Sequence, residues 1–186
     1  MHIDIDEVNL INKAKKDPEA FGRLYEIYVE RIYNYIYYRT GNSHDAEDIT
    51  ERVFFKALKS IGTYRHMGLP FSAWLYRIAH NLVANHHRDR ARMKEISLDA
   101  MPALEFATKK DFHESAIQKS NEVEVLMSMV SDLPKVRQEL ITLKFIEKLS
   151  NAEIGIILRK SEGAVKSLYH RTLLELRERI NLELLK

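Results

Sequence analysis

The sequence predicts an all-α fold in two small helical domains, and three observations predict it. Apolar residues recur at three- and four-residue spacing over most of the chain, which is the pattern of one buried helix face. No window alternates with a period of two, so no sheet is expected. From about 94 to 115 the apolar residues scatter among charges, with Pro102 in their midst, and the helical spacing then resumes. So long an aperiodic stretch reads as a linker rather than a buried loop. The expected organisation is a first domain over 1–93, a flexible tether over 94–115 and a second domain over 116–186.

The elements follow in order. Phe21, Leu24, Tyr28, Ile32 and Tyr35 mark one helix, which Gly41-Asn42-Ser43 stops. Ser43 is the expected N-cap of the next helix, in which Ile49, Val53, Ala57 and Ile61 share a side. Residues 62–68 read as a loop, and Pro70 suits the first turn of a third helix whose stripe is Phe71, Trp74, Leu75, Ile78 and Leu82. After the tether, Val123, Leu126, Met129 and Val130 resume helical spacing. Pro134 opens a further helix with Val136, Leu140 and Leu143 on one face. Ser150-Asn151-Ala152-Glu153 has the form of a capping box and starts a short helix carrying Ile154, Ile157 and Leu158. Ser161 can cap once more, before a helix that buries Val165, Tyr169, Thr172 and Leu176.

Composition limits the function classes. At 186 residues with 45% hydrophobic and 30% charged residues, the chain reads as a soluble globular protein. The absence of cysteine excludes disulfides, thiolate metal sites and a thiol nucleophile, and suits a reducing compartment. MHIDIDEVNL lacks a basic segment followed by an apolar core, so no signal peptide is expected, and no apolar run approaches the roughly 18 residues of a membrane span. The net charge of +2 says little about partners, so local distribution decides.

Two helices joined by a three- or four-residue turn, as at 150–180, make a helix-turn-helix, whose second helix can enter a DNA major groove N-terminus first. Lys166, Ser167, His170 and Arg171 fall opposite the expected buried face, with Arg159 and Lys160 in the preceding turn. These groups suit phosphates and base edges, and an ordinary solvated basic face is the alternative reading. In the first domain, Asp45, Glu47, Asp48 and Glu51 open a helix, where acids are also favoured by the macrodipole. The third helix ends in the basic run Asn85-His86-His87-Arg88-Asp89-Arg90-Ala91-Arg92, with Tyr64, Phe71, Trp74 and Tyr76 upstream. Aromatic rings beside basic groups suit unstacked bases, while core packing is the other role for such rings. The six tyrosines from Tyr25 to Tyr38 read as helix packing with hydroxyls at the margin. His80, His86 and His87 lack a metal-ligand spacing, so neither metal nor cofactor is expected.

Three stretches in this order resemble the small extracytoplasmic-function (ECF) sigma factors of bacterial RNA polymerase. "DAEDITERVFFKAL" (45–58) is similar to the polymerase-binding helix of sigma region two, and "FSAWLYRIAHNLVANHHRDR" (71–90) to the adjoining helix that melts and reads the minus-ten element. "LPKVRQELITLKFIEKLSNAEIGIILRKSEGAVKSLYHRTLLELRERI" (133–180) is similar to sigma region four, which reads the minus-thirty-five element. The resemblance covers about three quarters of the chain. It implies that Asp45, Glu47, Asp48, Glu51, Arg52, Phe54 and Phe55 meet core polymerase. It implies that Tyr64, Arg65, Phe71, Trp74, Arg77, Asn81, Asn85 and Arg88 meet minus-ten DNA, with loop 64–72 holding an extruded base. Arg159, Lys160, Ser161, Glu162, Gly163, Ala164, Lys166, Ser167, His170 and Arg171 would meet minus-thirty-five DNA. The implied partners are core RNA polymerase, promoter DNA and an inhibitory anti-sigma protein, in the bacterial cytoplasm, with no catalysis. The chain departs from the family at Glu51-Arg52, where Gln-Glu is frequent, at Leu168, where many members have arginine, and at Ala164, where threonine is common. The promoter sequence therefore does not carry over. Two other classes stay open. A stand-alone helix-turn-helix regulator accounts for 150–180 but leaves 45–58 without a task. An HD-type metal phosphohydrolase would use His44-Asp45, but further ligands cannot be assigned.

Overall fold

In a computed structural model, residues 5–66, 69–98 and 129–184 are described. They form helices and turns, with no strand among them, in two compact units. The first unit contains α1 (Ile5–Ala14), α2 (Pro18–Thr40), α3 (Ser43–Ser60), a 3-10 turn (Ile61–Thr63) and α4 (Phe71–Leu98). The second contains α5 (Lys135–Ile141), a π-helical turn (Thr142–Ile146), α6 (Asn151–Leu158) and α7 (Glu162–Leu184).

Local chemistry sets the helix ends. The Asp17 side chain accepts from the Glu19 amide at 2.9 Å, and Pro18 occupies the first helical position, where its missing N–H costs nothing. α2 stops at Gly41, whose φ of 65° is the left-handed conformation that glycine adopts without penalty, and whose amide donates to Tyr37 O. α3 is capped by Asn42, not Ser43: Asn42 Oδ1 accepts from the Asp45 amide at 2.9 Å, and Ser43 is already helical. Both residue types cap well, and the one with extended backbone takes the role.

The first core forms where α2, α3 and α4 meet. Ile32, Tyr35 and Ile36 from α2 pack with Ile49, Val53 and Ala57 from α3 and Leu75, Tyr76, Ala79 and Val83 from α4, all buried. Tyr35 and Tyr76 meet edge to face at 5.1 Å. Because α4 packs against both α2 and α3, its buried face is wider than the expected stripe. Tyr76, Ala79 and Val83 join Phe71, Leu75 and Leu82 inside, while Trp74 and Ile78 stay half-buried at the margin. α1 lies against α2 through the buried Ile11 and Ala14. α4 also runs through residues 94–98, which were expected in the tether; Met93-Lys94-Glu95 are good helix formers without an apolar stripe. The rest of the expected tether, 99–115, and the expected apolar positions Val123 and Leu126 lie outside the described residues.

The second unit buries Leu133, Leu140, Leu143, Ile154, Ile157, Val165, Thr172 and Leu176. Val136 shares the face of Leu140 but sits a turn nearer the helix start, and is 38% exposed rather than core. The Thr172 hydroxyl is buried without penalty because it donates to Leu168 O at 2.8 Å.

Candidate functional site

In the second unit the sequence builds a rigid helix-turn-helix. The capping box at α6 is complete: Ser150 N donates to Glu153 Oε2 at 2.6 Å, and Glu153 N to Ser150 Oγ at 3.3 Å. α6 ends at Arg159 in the left-handed conformation, with φ of 55°. The next amide, Lys160 N, donates to Gly155 O at 2.8 Å. That closure brings Lys160 O so near that a Cβ on residue 155 would stand 2.6 Å from it, so the turn requires glycine there. Ser161 then caps α7, its Oγ accepting from the Ala164 amide at 3.2 Å.

This frame fixes the exposed face of α7. Val165 and Thr172 are fully buried, and Leu168 and Tyr169 half-buried. Lys166, Ser167, His170 and Arg171 are exposed together, as are Arg159, Lys160, Ser161, Glu162, Gly163 and Ala164 at the turn and the helix start. Arg171 Nε donates to Ser167 O at 3.3 Å, which lays the guanidinium along the helix surface. The face offers cationic and hydroxyl donors around a helix N-terminus, with one carboxylate, Glu162, among them. Leu168 sits beside this face as an apolar group.

In the first unit, α4 carries a second polar face. Trp74, Arg77, Asn81, Asn85 and Arg88 are spaced at three and four residues, so they fall within roughly 80° of one helix side. Arg77, Asn85 and Arg88 are exposed, Asn81 is half-buried, and Arg88 Nη2 donates to Asn85 Oδ1 at 2.9 Å. At the head of this face stands an aromatic cluster. Tyr64 lies 4.9 Å from Trp74 and, edge on, 5.4 Å from Phe71, and Tyr28 lies 5.7 Å from Phe71. Phe71, expected to touch DNA, is only 1% exposed: it is the floor of the cluster, and Tyr64 and Trp74 present the accessible ring surface. Arg65 is exposed beside them.

Sequence reasoning missed a carboxylate at this cluster. α1 crosses α2 so that Glu7 Oε1 accepts from the Tyr28 hydroxyl. Burial, then that hydrogen bond, pushes the Tyr28 phenol well above its ordinary pKa. Burial first, and then the Glu7 charge, raises that of Tyr64. Nothing in the pattern of α1 announces this contact, because it depends on how α1 lies across α2.

The acids of α3 do not form one surface. Asp45 faces α4, where its Oδ2 lies 3.1 Å from Arg90 Nη1 and 3.4 Å from His86 Nε2. Glu47 and Glu51 instead line an open groove of about 640 Å³ between α2 and α3, with Tyr25, Val29, Phe54 and Leu58. Two residues along a helix is a rotation of roughly 200°, which separates Asp45 from Glu47. Asp48 and Arg52 are exposed. Phe54, expected as a contact, is 5% exposed and packs edge to face on Tyr25 at 4.8 Å, forming the groove floor. Phe55 is 57% exposed, with Lys59 Nζ 4.2 Å from its ring centroid. A groove with apolar walls and carboxylates suits a protein surface bearing apolar and basic groups.

Among the described residues no three His, Asp or Glu side chains gather as a metal site, and no helix is long and apolar enough to cross a membrane. His44 is exposed, and its neighbour Asp45 is engaged by Arg90.

Comparison with known proteins bears on both units. The chain matches the sigma-70 region 2 model over residues 24–93 and the sigma-70 region 4 model over residues 124–176. It is 38% identical over 165 residues to the ECF RNA polymerase sigma factor BldN of Streptomyces coelicolor, which covers 88% of this chain and 62% of BldN. It is 34% identical over 170 residues to the ECF RNA polymerase sigma factor SigW of Bacillus subtilis, covering 87% of this chain and 89% of SigW. Its fold resembles that of the sigma factor RpoE of Bartonella quintana, solved in complex with the anti-sigma factor NepR. The TM-score is 0.66 at 20% identity, covering 87% of this chain and 96% of RpoE.

Proposed function

The chain belongs to the ECF sigma factors of the sigma-70 family, and from that membership we propose that it directs core RNA polymerase to particular promoters and assists transcription initiation. Members of this family are initiation factors, and we assign the chain no reaction of its own. In this reading residues 1–93 act as sigma region two and residues 116–186 as region four. The α2–α3 groove, with Glu47, Glu51 and Phe55 at its rim, takes the polymerase. Trp74, Arg77, Asn81, Asn85 and Arg88 take the minus-ten strand, with Tyr64 and Trp74 stacking an extruded base. Such a base leaves the duplex at a cost of a few kcal/mol that pocket contacts offset. The exposed face of α7 takes the minus-thirty-five element. An anti-sigma factor is the further partner proposed, since the similar RpoE is solved with one. The site of action is wherever polymerase meets the genome, the bacterial cytoplasm.

The observation that favours this reading over a stand-alone helix-turn-helix regulator is the face of α4. Such a regulator needs only α6 and α7, and would leave idle the aligned Trp74, Arg77, Asn81, Asn85 and Arg88 and the acidic apolar groove. Co-purification separates the two. The proposed sigma factor travels with core polymerase through size exclusion, whereas a stand-alone regulator elutes apart from it.

A further inference from the structure

We propose that Asp45 is a positioning residue: by engaging His86 and Arg90 it holds the C-terminal turns of α4, and with them Asn85 and Arg88, in place for the minus-ten strand. The inference rests on reading the polar face of α4 as the minus-ten surface. The buried face of α4 descends through Tyr76, Ala79 and Val83 and then runs out of apolar residues. Over residues 84–93 no side chain is buried, and His86 alone is half-buried. The helix nonetheless continues to Leu98. Turns with so little buried apolar surface open easily unless something else ties them down.

Here the tie is polar. His86 and Arg90 stand three and seven residues beyond Val83, so they prolong the buried face of α4. There they meet α3: Asp45 Oδ2 lies 3.4 Å from His86 Nε2 and 3.1 Å from Arg90 Nη1. His87 Nε2, 3.1 Å from Arg39 O, adds a contact to the end of α2. The Asp45 backbone is itself fixed, because its amide donates to the Asn42 cap. Its side chain is 26% exposed, so water screens the carboxylate only in part. The tie and the DNA face lie on opposite sides of α4. Arg90 is two residues from Arg88, a rotation of roughly 200°. Asp45 can therefore orient Asn85 and Arg88 without approaching DNA. Arg88 Nη2 donates to Asn85 Oδ1, so the two move as a pair. The same rotation on α3 turns Asp45 away from the groove that Glu47 lines, which frees it from the polymerase-facing side.

The test is a charge swap in the full chain bound to core RNA polymerase. The probe is a single-stranded oligonucleotide of the non-template strand, spanning the minus-ten element of a promoter selected with the wild type, and binding is read by fluorescence anisotropy. Asp45→Arg sets a cation against Arg90, and Arg90→Asp sets two carboxylates together. Each should weaken strand binding roughly 2- to 10-fold. The double variant restores opposite charges and should return to within about 2-fold of the wild type. Asp45→Asn, which keeps the size of the side chain, should show a smaller loss and covers the case in which a reversed charge unfolds the unit. In the free protein, hydrogen exchange should quicken in the single variants at residues 86–92 but not at 74–82. Capture of core polymerase should stay unchanged throughout. Single variants that bind the strand as the wild type does, or a double variant no better than the singles, overturn the proposal. So does a loss that appears in polymerase capture, which would place Asp45 on the polymerase instead. A wild-type complex that does not bind the promoter strand at all overturns the reading beneath it.

Discussion

Gly155 and Gly163 lie eight residues apart and impose opposite demands. A methyl on Gly155 would stand 2.6 Å from Lys160 O, a backbone atom that cannot swing aside. The helix propensity gained by Gly155→Ala is therefore outweighed, and the variant should lose about 1–3 kcal/mol. Gly163 has no atom within 4 Å of such a methyl, so Gly163→Ala should gain up to about 1 kcal/mol. Thermal unfolding of both variants checks the pair, and equal shifts would contradict this account of the turn. Arg159 holds the left-handed conformation that glycine usually fills at a helix end. Arg159→Gly relieves that conformation but loosens the unfolded chain, so stability should stay within about 0.5 kcal/mol. DNA affinity should nonetheless fall, with roughly one unit lost from the salt dependence. Unchanged DNA binding would show that the arginine serves only the turn.

Helix ends and helix faces were the most legible elements, because each rests on neighbours within one turn. The capping box at Ser150 and Glu153, the Ser161 cap and the buried Val165 and Thr172 all follow from local spacing. The misses need information from distant chain. Asp45 meets Arg90 across 45 residues, Phe71 is sealed by Tyr64, and Glu7 reaches the cluster because of how α1 lies on α2. The choice between Asn42 and Ser43 as cap turns on backbone angle, which residue type alone does not set. Two predictions belong to single helices. On α7, Arg171→Ala should weaken binding to all DNA sequences alike and lower the salt slope by about one unit. Lys166→Ala should remove roughly 1–3 kcal/mol of discrimination at one or two positions if it reads a base edge. Titrations on a selected and a scrambled site at several salt concentrations measure both, and two unaltered variants would return α7 to a plain solvated face. On α3, Glu47→Lys with Glu51→Lys should weaken polymerase binding, while Asp45→Ala, which loosens an exposed pair with Arg90, should weaken it far less. A pull-down on core polymerase ranks them, and the reverse order would move the docking surface toward α4.

At the scale of the whole molecule, the net charge of +2 hides its arrangement. Cationic donors collect on α4 and α7, and carboxylates line the α2–α3 groove, so each surface suits a different partner. The two-unit division was legible because helical periodicity lapses and resumes, although α4 outlasts its apolar stripe by using charged helix formers. In the proposed reading, joining two DNA-binding units in one chain makes the second contact intramolecular. Weak contacts to two promoter elements then combine through effective concentration. That combination is the central claim, and mapping RNA 5′ ends tests it most directly. Core polymerase transcribes genomic DNA fragments with and without this protein. The account predicts new start sites in its presence, preceded by two shared sequence elements at a fixed spacing. The same set of start sites with and without the protein would contradict it.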